Sequence, residues 1–383
     1  MAVLICAAAG LPRTHAPGAR LGIPMAAPMG AAMAVPPDGP TSLPNSSVRP
    51  PSVLPASILL LAGPALAELK QRYERPEGVP FPNDNPWSEA KEKLGRMLFF
   101  DPILSGGHTI SCASCHNPSL SWADNQKLAS GSGRMKLHTP TIIDVAWVPV
   151  LGWDGKFRSL ESVAFGPLLN PDNMNNTEAE IVSRLTKIPG YVEAFSRAFP
   201  GVTHAGGPSG AVVTRPRIEQ AIATFERTVL AAPAPFDRWI DGDENAIGVS
   251  AKRGFILFND KAGCANCHEG PSLSDFSFHD IGLAKEDDIG RGRLFPTSVK
   301  LRHGFKVPTL RDVARRAPYM HDGSIPTLEA VVDAYDTGGV DRPSRSEFIH
   351  PLGLSLAEKQ DLVAFLRTLT GDPAPFALPA LPR

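Results

Sequence analysis

The side chains best equipped for chemistry come as two copies of one pattern, Cys112-Ala-Ser-Cys115-His116 and Cys264-Ala-Asn-Cys267-His268. C-x-x-C-H is the attachment frame for a c-type haem. The spacing has a chemical reason: two thiols add to the two vinyl groups of a porphyrin, and the next residue offers an imidazole to the iron. Four cysteines in a secreted chain would ordinarily suggest disulfides. Paired C-x-x-C motifs also make zinc sites, and a single pair can be a redox dithiol. A shared zinc would not require a histidine directly after both pairs, and a dithiol needs only one pair. The doubled motif predicts two covalently bound haem c groups. Cys112, Cys115, Cys264 and Cys267 are the attachment residues, with His116 and His268 as iron ligands. The fifth cysteine, Cys6, stands outside both motifs.

The start of the chain points to a setting in which haem c is made. Arg49 precedes an apolar run, Ser52-Val-Leu-Pro-Ala-Ser-Ile-Leu-Leu-Leu-Ala62, which ends at Ala65-Leu-Ala67. A positive region, a short apolar region and an A-x-A site form a secretory signal, expected to be cleaved after Ala67; an uncleaved anchor is the alternative. Residues 1–67, rich in Ala, Gly and Pro and without a periodic apolar face, are read as a disordered leader plus signal peptide. Covalent haem attachment takes place outside the bacterial cytoplasm, so signal and motifs agree on the periplasm. The 383 residues carry 38 basic and 39 acidic side chains, a net charge of −1. That balance makes no field able to gather nucleic acid or coat an anionic membrane.

Helical signals dominate the remainder. Asn85-Pro86 is expected to open a helix through Leu94, Met97 and Leu98. Thr177 and Glu180 form a capping box ahead of Ile181, Leu185 and Ile188. Ile218, Ile222, Phe225 and Val229 share one helix face. Ser355 and Glu358 cap a last helix that carries Leu362, Phe365, Leu366 and Leu369 and stops at Gly371. No sustained apolar/polar alternation is present. Ala231-Ala-Pro-Ala-Pro-Phe236 reads as a linker, and Pro373 to Arg383 as a loose tail. The chain divides into a leader at 1–67, an N-terminal haem-bearing unit at 68–236 and a C-terminal one at 237–383.

With both motifs placed, several further segments resemble the bacterial dihaem cytochrome c peroxidase and MauG superfamily. They include Leu94-Gly-Arg-Met-Leu-Phe-Phe-Asp-Pro102, His138-Thr-Pro-Thr141, Gly152-Trp-Asp-Gly155, Pro167-Leu-Leu-Asn-Pro171, Phe305-Lys-Val-Pro-Thr-Leu-Arg311 and Ala317-Pro-Tyr-Met-His-Asp-Gly323. The resemblance implies an all-α protein of two cytochrome-c-like haem domains with long loops. The N-terminal domain would be peroxidatic and the C-terminal one would transfer electrons. It implies His116 at the peroxide site and Trp153 as the catalytic aromatic between the haems; without the resemblance, Trp153 would also suit plain packing. Calcium between the domains is a further family feature, although His138 stands where an Asn often ligates it.

The sequence departs from the family around both haems. Ser132 falls where many members place a histidine that ligates the resting N-terminal iron. Val163 and Asn173 fall where the distal Gln and Glu stand. The sixth ligand of the C-terminal iron is expected to be His303, with Met320 as the alternative and a plain surface role for His303 as the third option. Arg311 is a candidate partner for a propionate or between the haems, His279 and His321 for propionates or loop backbone.

Three functions follow. The first is a periplasmic dihaem peroxidase that reduces hydrogen peroxide with electrons from a small cytochrome c or cupredoxin. The second is a MauG-like enzyme that oxidises Trp or Tyr of a partner protein. The third is a dihaem electron-transfer protein without catalysis. A homodimer is compatible with each.

Overall fold

The computed structural model describes residues 64–201 and 212–382. The expected leader up to residue 63, with Cys6, lies outside the described residues. Eleven helices are found among them: α1 (Pro64–Gln71), α2 (Glu89–Phe100), α3 (Cys112–Cys115), α4 (Leu160–Leu169), α5 (Glu178–Thr186), α6 (Pro189–Ala198), α7 (Arg215–Arg227), α8 (Pro235–Ile240), α9 (Val249–Asn259), α10 (Leu328–Thr337) and α11 (Leu356–Thr368). The expected cleavage point after Ala67 falls inside α1. Regular pairing is limited to β1 (Phe278–His279) against β2 (Phe305–Lys306), antiparallel, with Phe278 opposite Lys306. None of these helices is long and apolar enough to cross a membrane.

The helices pack around two apolar centres. Leu94, Leu98, Phe99, Ile181, Phe195, Ile218, Ile222 and Phe225 build the first. Phe236, Trp239, Phe255, Phe258, Leu362 and Phe365 build the second, and Tyr73 joins them from just after α1. Each centre is organised by one close helix crossing. A Cβ on Gly95 of α2 would overlap the Ala221 carbonyl of α7, and a Cβ on Gly254 of α9 would overlap the Asp361 carbonyl of α11. Phe225 and Phe365 sit beside these glycines in matching positions. Both crossings therefore need glycine for close approach of two backbones.

Several local expectations hold. Ser355 accepts from the Glu358 amide while the Glu358 side chain reaches back, which closes a capping box on α11. Thr177 caps α5 through the Glu180 amide, but the Glu180 side chain pairs with Arg184 and leaves the expected box half closed. Three expectations are corrected. The helix anticipated at Pro86 begins at Glu89, with Ser88 as its N-cap. Asn85 is drawn instead into tertiary contacts: its amide donates to Glu161 Oε1 (2.8 Å) and the Gln220 carbonyl (2.9 Å). The segment 231–236 is no solvated linker, since Ala231, Ala234 and Phe236 are buried and the Ala231 amide donates to Asp144 Oδ1 (3.0 Å). The tail is not loose either. Phe376 stacks on Phe100 (5.1 Å between centroids) and meets Trp122 edge to face (5.2 Å), under the Arg96 guanidinium.

Candidate functional site

Each motif folds as one tight turn. The His116 amide donates to the Cys112 carbonyl and the His268 amide to the Cys264 carbonyl, both at 2.9 Å. The loops that follow then fold back on the imidazoles. His116 Nδ1 lies 3.2 Å from the Trp122 carbonyl, and His268 Nδ1 lies 2.9 Å from the Leu273 carbonyl. Trp122 (φ 58°) and Leu273 (φ 50°) both adopt the left-handed conformation. Thr141 Oγ1 donates to the Ser121 carbonyl and Thr309 Oγ1 to the Ser272 carbonyl, both at 2.7 Å, which fastens each loop.

A carbonyl only accepts, so each Nδ1 carries the proton and each Nε2 keeps its lone pair. Burial lowers the pKa of both histidines and holds the rings neutral. A neutral imidazole with its other nitrogen tied to a carbonyl is the form that ligates a metal. Burial also pushes the Cys115 thiol up to about 11 and those of Cys264 and Cys267 to about 12. All four motif cysteines are free of disulfides. Among the described residues no three His, Cys, Asp or Glu side chains converge, so the two cysteine pairs do not share a zinc site. Two pairs of protonated thiols, each followed by a neutral imidazole whose Nδ1 is tied to a carbonyl, fit two covalently held haems.

Trp153 lies where the two halves meet. Its indole Nε1–H donates to the His138 carbonyl (2.8 Å), and its own carbonyl accepts from the Lys306 amide (2.9 Å). The His138 amide donates in turn to the His321 carbonyl (2.8 Å). The His321 ring stacks on Phe305 with 3.6 Å between centroids and 12° between planes, and its Nε2 lies 3.0 Å from Asp288 Oδ2. Small residues allow the approach. A Cβ on Gly155 would strike Phe278 and Arg291, and one on Gly323 would strike Lys127.

The loop carrying Ser132 is clamped beside the first motif. Cys115 Sγ donates to the Ser130 carbonyl (2.9 Å), the Ser132 amide to the Asn173 carbonyl (2.8 Å) and the Gly133 amide to the Asp172 carbonyl (2.9 Å). Ser132 is exposed, and Val163 and Asn173 are half-buried.

His303 is 2% exposed, with Nδ1 2.9 Å from the Asp288 carbonyl. Met320 is half-buried and left-handed (φ 75°) in the turn closed by Tyr319 and Ile325. Arg311 is corrected as a free propionate partner: its guanidinium is spent on Asp237 and the Pro271 carbonyl. His279 lies between the Ser277 and Ser346 hydroxyls, at 2.7 and 3.0 Å.

Sequence reasoning missed Glu226, Lys306 and Arg316. Glu226 is buried on α7 with Oε2 unpartnered, and burial raises its pKa to about 8. It also missed a repeat legible in the letters. Pro140-Thr-Ile-Ile-Asp-Val145 and Pro308-Thr-Leu-Arg-Asp-Val313 take the same course, with Asp144 and Asp312 left-handed at matching turns and their carboxylates on the Ala231 and Gly371 amides.

Comparison with known proteins agrees with this geometry. Residues 89–245 match the family described as Di-haem cytochrome c peroxidase. The chain is 48% identical to the methylamine utilization protein MauG of Methylorubrum extorquens, over 83% of this chain and 88% of that protein. It is 35% identical to the cytochrome c551 peroxidase of Nitrosomonas europaea, over 76% and 83%. Among solved structures it is similar to a MauG-like protein associated with microbial copper homeostasis, with a TM-score of 0.70, 31% identity, and 78% and 95% of the two chains covered.

Proposed function

This chain belongs to the di-haem cytochrome c peroxidase family, whose members are oxidoreductases carrying two haems, and from that premise we propose a MauG-type role within it. Hydrogen peroxide would be the oxidant, at a haem held by Cys112, Cys115 and His116, and aromatic side chains of a partner protein would supply the electrons through a haem held by Cys264, Cys267 and His268 and through Trp153. The protein works in the periplasm, as two haem-bearing units, 68–236 and 237–383. When bound, the haems supply two one-electron centres and an iron open to peroxide.

The observation that carries this reading is the clamped loop at 130–133, which brings Ser132 and no imidazole to the neighbourhood of the first motif. With His116 as the one ligand supplied by these segments, a bound iron would have a position to offer peroxide without prior reduction. The greater identity to MauG than to the cytochrome c551 peroxidase supports the same choice. His116 is held neutral and oriented by the Trp122 carbonyl. Trp153 is held at both ends, by the His138 carbonyl and the Lys306 amide, so its ring does not reorient as charge passes. Asn173 moves no proton. Asp172, the neighbouring carboxylate, is exposed beside Gly133 and is not held against a buried pocket. Loss of positioned acid–base help is worth roughly 10²–10⁴-fold, which suits slow oxidation of a protein better than rapid peroxide clearance.

The test is a low-temperature spin-state spectrum of the purified holo-protein with and without peroxide, alongside peroxide consumption with reduced cytochrome c. One high-spin iron that responds to peroxide, with poor turnover of the small donor, is expected. Rapid sustained turnover with cytochrome c would restore the plain peroxidase. Two low-spin irons indifferent to peroxide would leave only electron transfer.

A further inference from the structure

Among the described residues, two half-buried cations, Lys306 beside Trp153 and Arg316, have no carboxylate in ion-pair contact. Lys306 follows Phe305 in β2. Its backbone amide holds the Trp153 carbonyl, and its Nζ lies 5.9 Å from the Phe276 ring centroid. Arg316 donates through Nη2 to the Thr309 and Arg311 carbonyls, at 2.7 and 2.8 Å. Its Nε is buried and makes no hydrogen bond. Asp312 favours its charge from a distance, and Arg316 in turn bears on His138, the residue whose carbonyl receives the Trp153 indole. Lys306 thus stands at the backbone end of Trp153, and the Arg316 charge acts on the residue that holds its indole.

Burial pulls the Lys306 pKa down to about 8 and that of Arg316 to about 10. An unpaired buried ion costs several kcal/mol. Lysine can escape by losing its proton, but a guanidinium remains charged at neutral pH. A chain that keeps both has an anion to receive. Arg311, the neighbouring guanidinium, shows what satisfaction looks like, since Asp237 and a carbonyl occupy its fork. The anion chemistry that belongs beside these motif loops is a carboxylate, which a guanidinium grips with two parallel bonds. Each haem brings two carboxylates as its propionates.

We propose that Lys306 and Arg316 are the seats for porphyrin propionates, and that their charges beside Trp153 hold the haem potentials up. The proposal rests on the chain carrying two haems. A mass without two porphyrins would remove that premise before any potential is measured.

The experiment is a spectroelectrochemical titration of the intact holo-protein, native and with Lys306→Gln, Arg316→Gln and Arg316→Lys, each checked for two haems by mass. Both glutamine variants are expected to lower a haem midpoint so that the reduced-to-oxidised ratio at fixed potential falls about tenfold, which is 59 mV for one electron. The freed propionate should then take up a proton near neutrality and give that midpoint a new pH slope. Arg316→Lys, which keeps the charge, should recover most of the potential. Midpoints within about threefold of native and no new slope would overturn the proposal, as would a shift that follows added phosphate or chloride, since the seats would then hold a solvent anion. If Arg316→Gln yields no holo-protein, Lys306→Gln and Arg316→Lys decide the matter.

Discussion

The indole of Trp153 and the imidazole of His321 stand edge to face, with centroids 6.5 Å apart and planes at 73°. They occupy matching places in two loops of the same build. Trp153-Asp-Gly155 lies in the turn closed by Leu151 and Phe157, and His321-Asp-Gly323 in the turn closed by Tyr319 and Ile325. Each loop accepts a backbone hydrogen bond from a segment distant in the sequence, Lys306 to Trp153 and His138 to His321. Since His321 stacks on Phe305, a run of three π systems crosses the junction of the halves.

Trp153→Phe tests that run. Phenylalanine keeps an aromatic ring but loses the bond to the His138 carbonyl and is far harder to oxidise. Both haem midpoints should stay near native, while electron exchange between the haems after a peroxide pulse, followed by stopped-flow absorbance, should slow by about tenfold or more, a barrier rise of roughly 1.4 kcal/mol. Unchanged exchange would return Trp153 to a packing role.

Gly95→Ala and Gly254→Ala test the two helix crossings. The added methyl meets a backbone carbonyl that cannot swing aside, so overpacking should cost roughly 3 kcal/mol or more. At about 2–4 °C per kcal/mol, calorimetry should show each Tm falling by roughly 6–12 °C. Melting at the native temperature would mean that the helices part freely.

Glu226→Gln gives a pH test. Burial, resisted by Arg227 and reinforced by Glu161, raises the folded pKa of Glu226 to about 8. The folded state therefore binds this proton more tightly than the unfolded chain. Its contribution is fully present below the ordinary carboxylate pKa and is lost as pH rises to about 8. The native protein should lose roughly 3–5 kcal/mol over that window relative to the glutamine variant. Denaturant melts at pH 5 and pH 9 check this, and a constant difference between the two proteins would refute it.

Phe376→Ala tests the tail. The ring packs on Phe100 and on Trp122, whose carbonyl orients His116. Two aromatic pairs are worth about 1–3 kcal/mol together. Beyond that loss, the electron paramagnetic resonance signal of the His116 haem should broaden while that of the His268 haem keeps its form. An unaltered first signal would make the tail a mere cover.

Features governed by neighbouring residues were legible in the sequence. The attachment chemistry of Cys112 to His116 and of Cys264 to His268 fits within five residues each, and the cap formed by Ser355 and Glu358 fits within four. The packed face of Ile218, Ile222 and Phe225 follows from one helical period. Tertiary structure decided the rest. Asn85 caps nothing because Glu161 and Gln220 claim it; Arg311 is spent on Asp237; Phe376 is captured by Phe100 and Trp122. That Glu226, Lys306 and Arg316 find no oppositely charged partner in ion-pair contact among the described residues likewise reflects which elements fold over them. Local propensity ranks the conformations of a few adjacent residues, whereas a side chain's partner and its access to water depend on segments far away in the chain, brought near only when the apolar centres close.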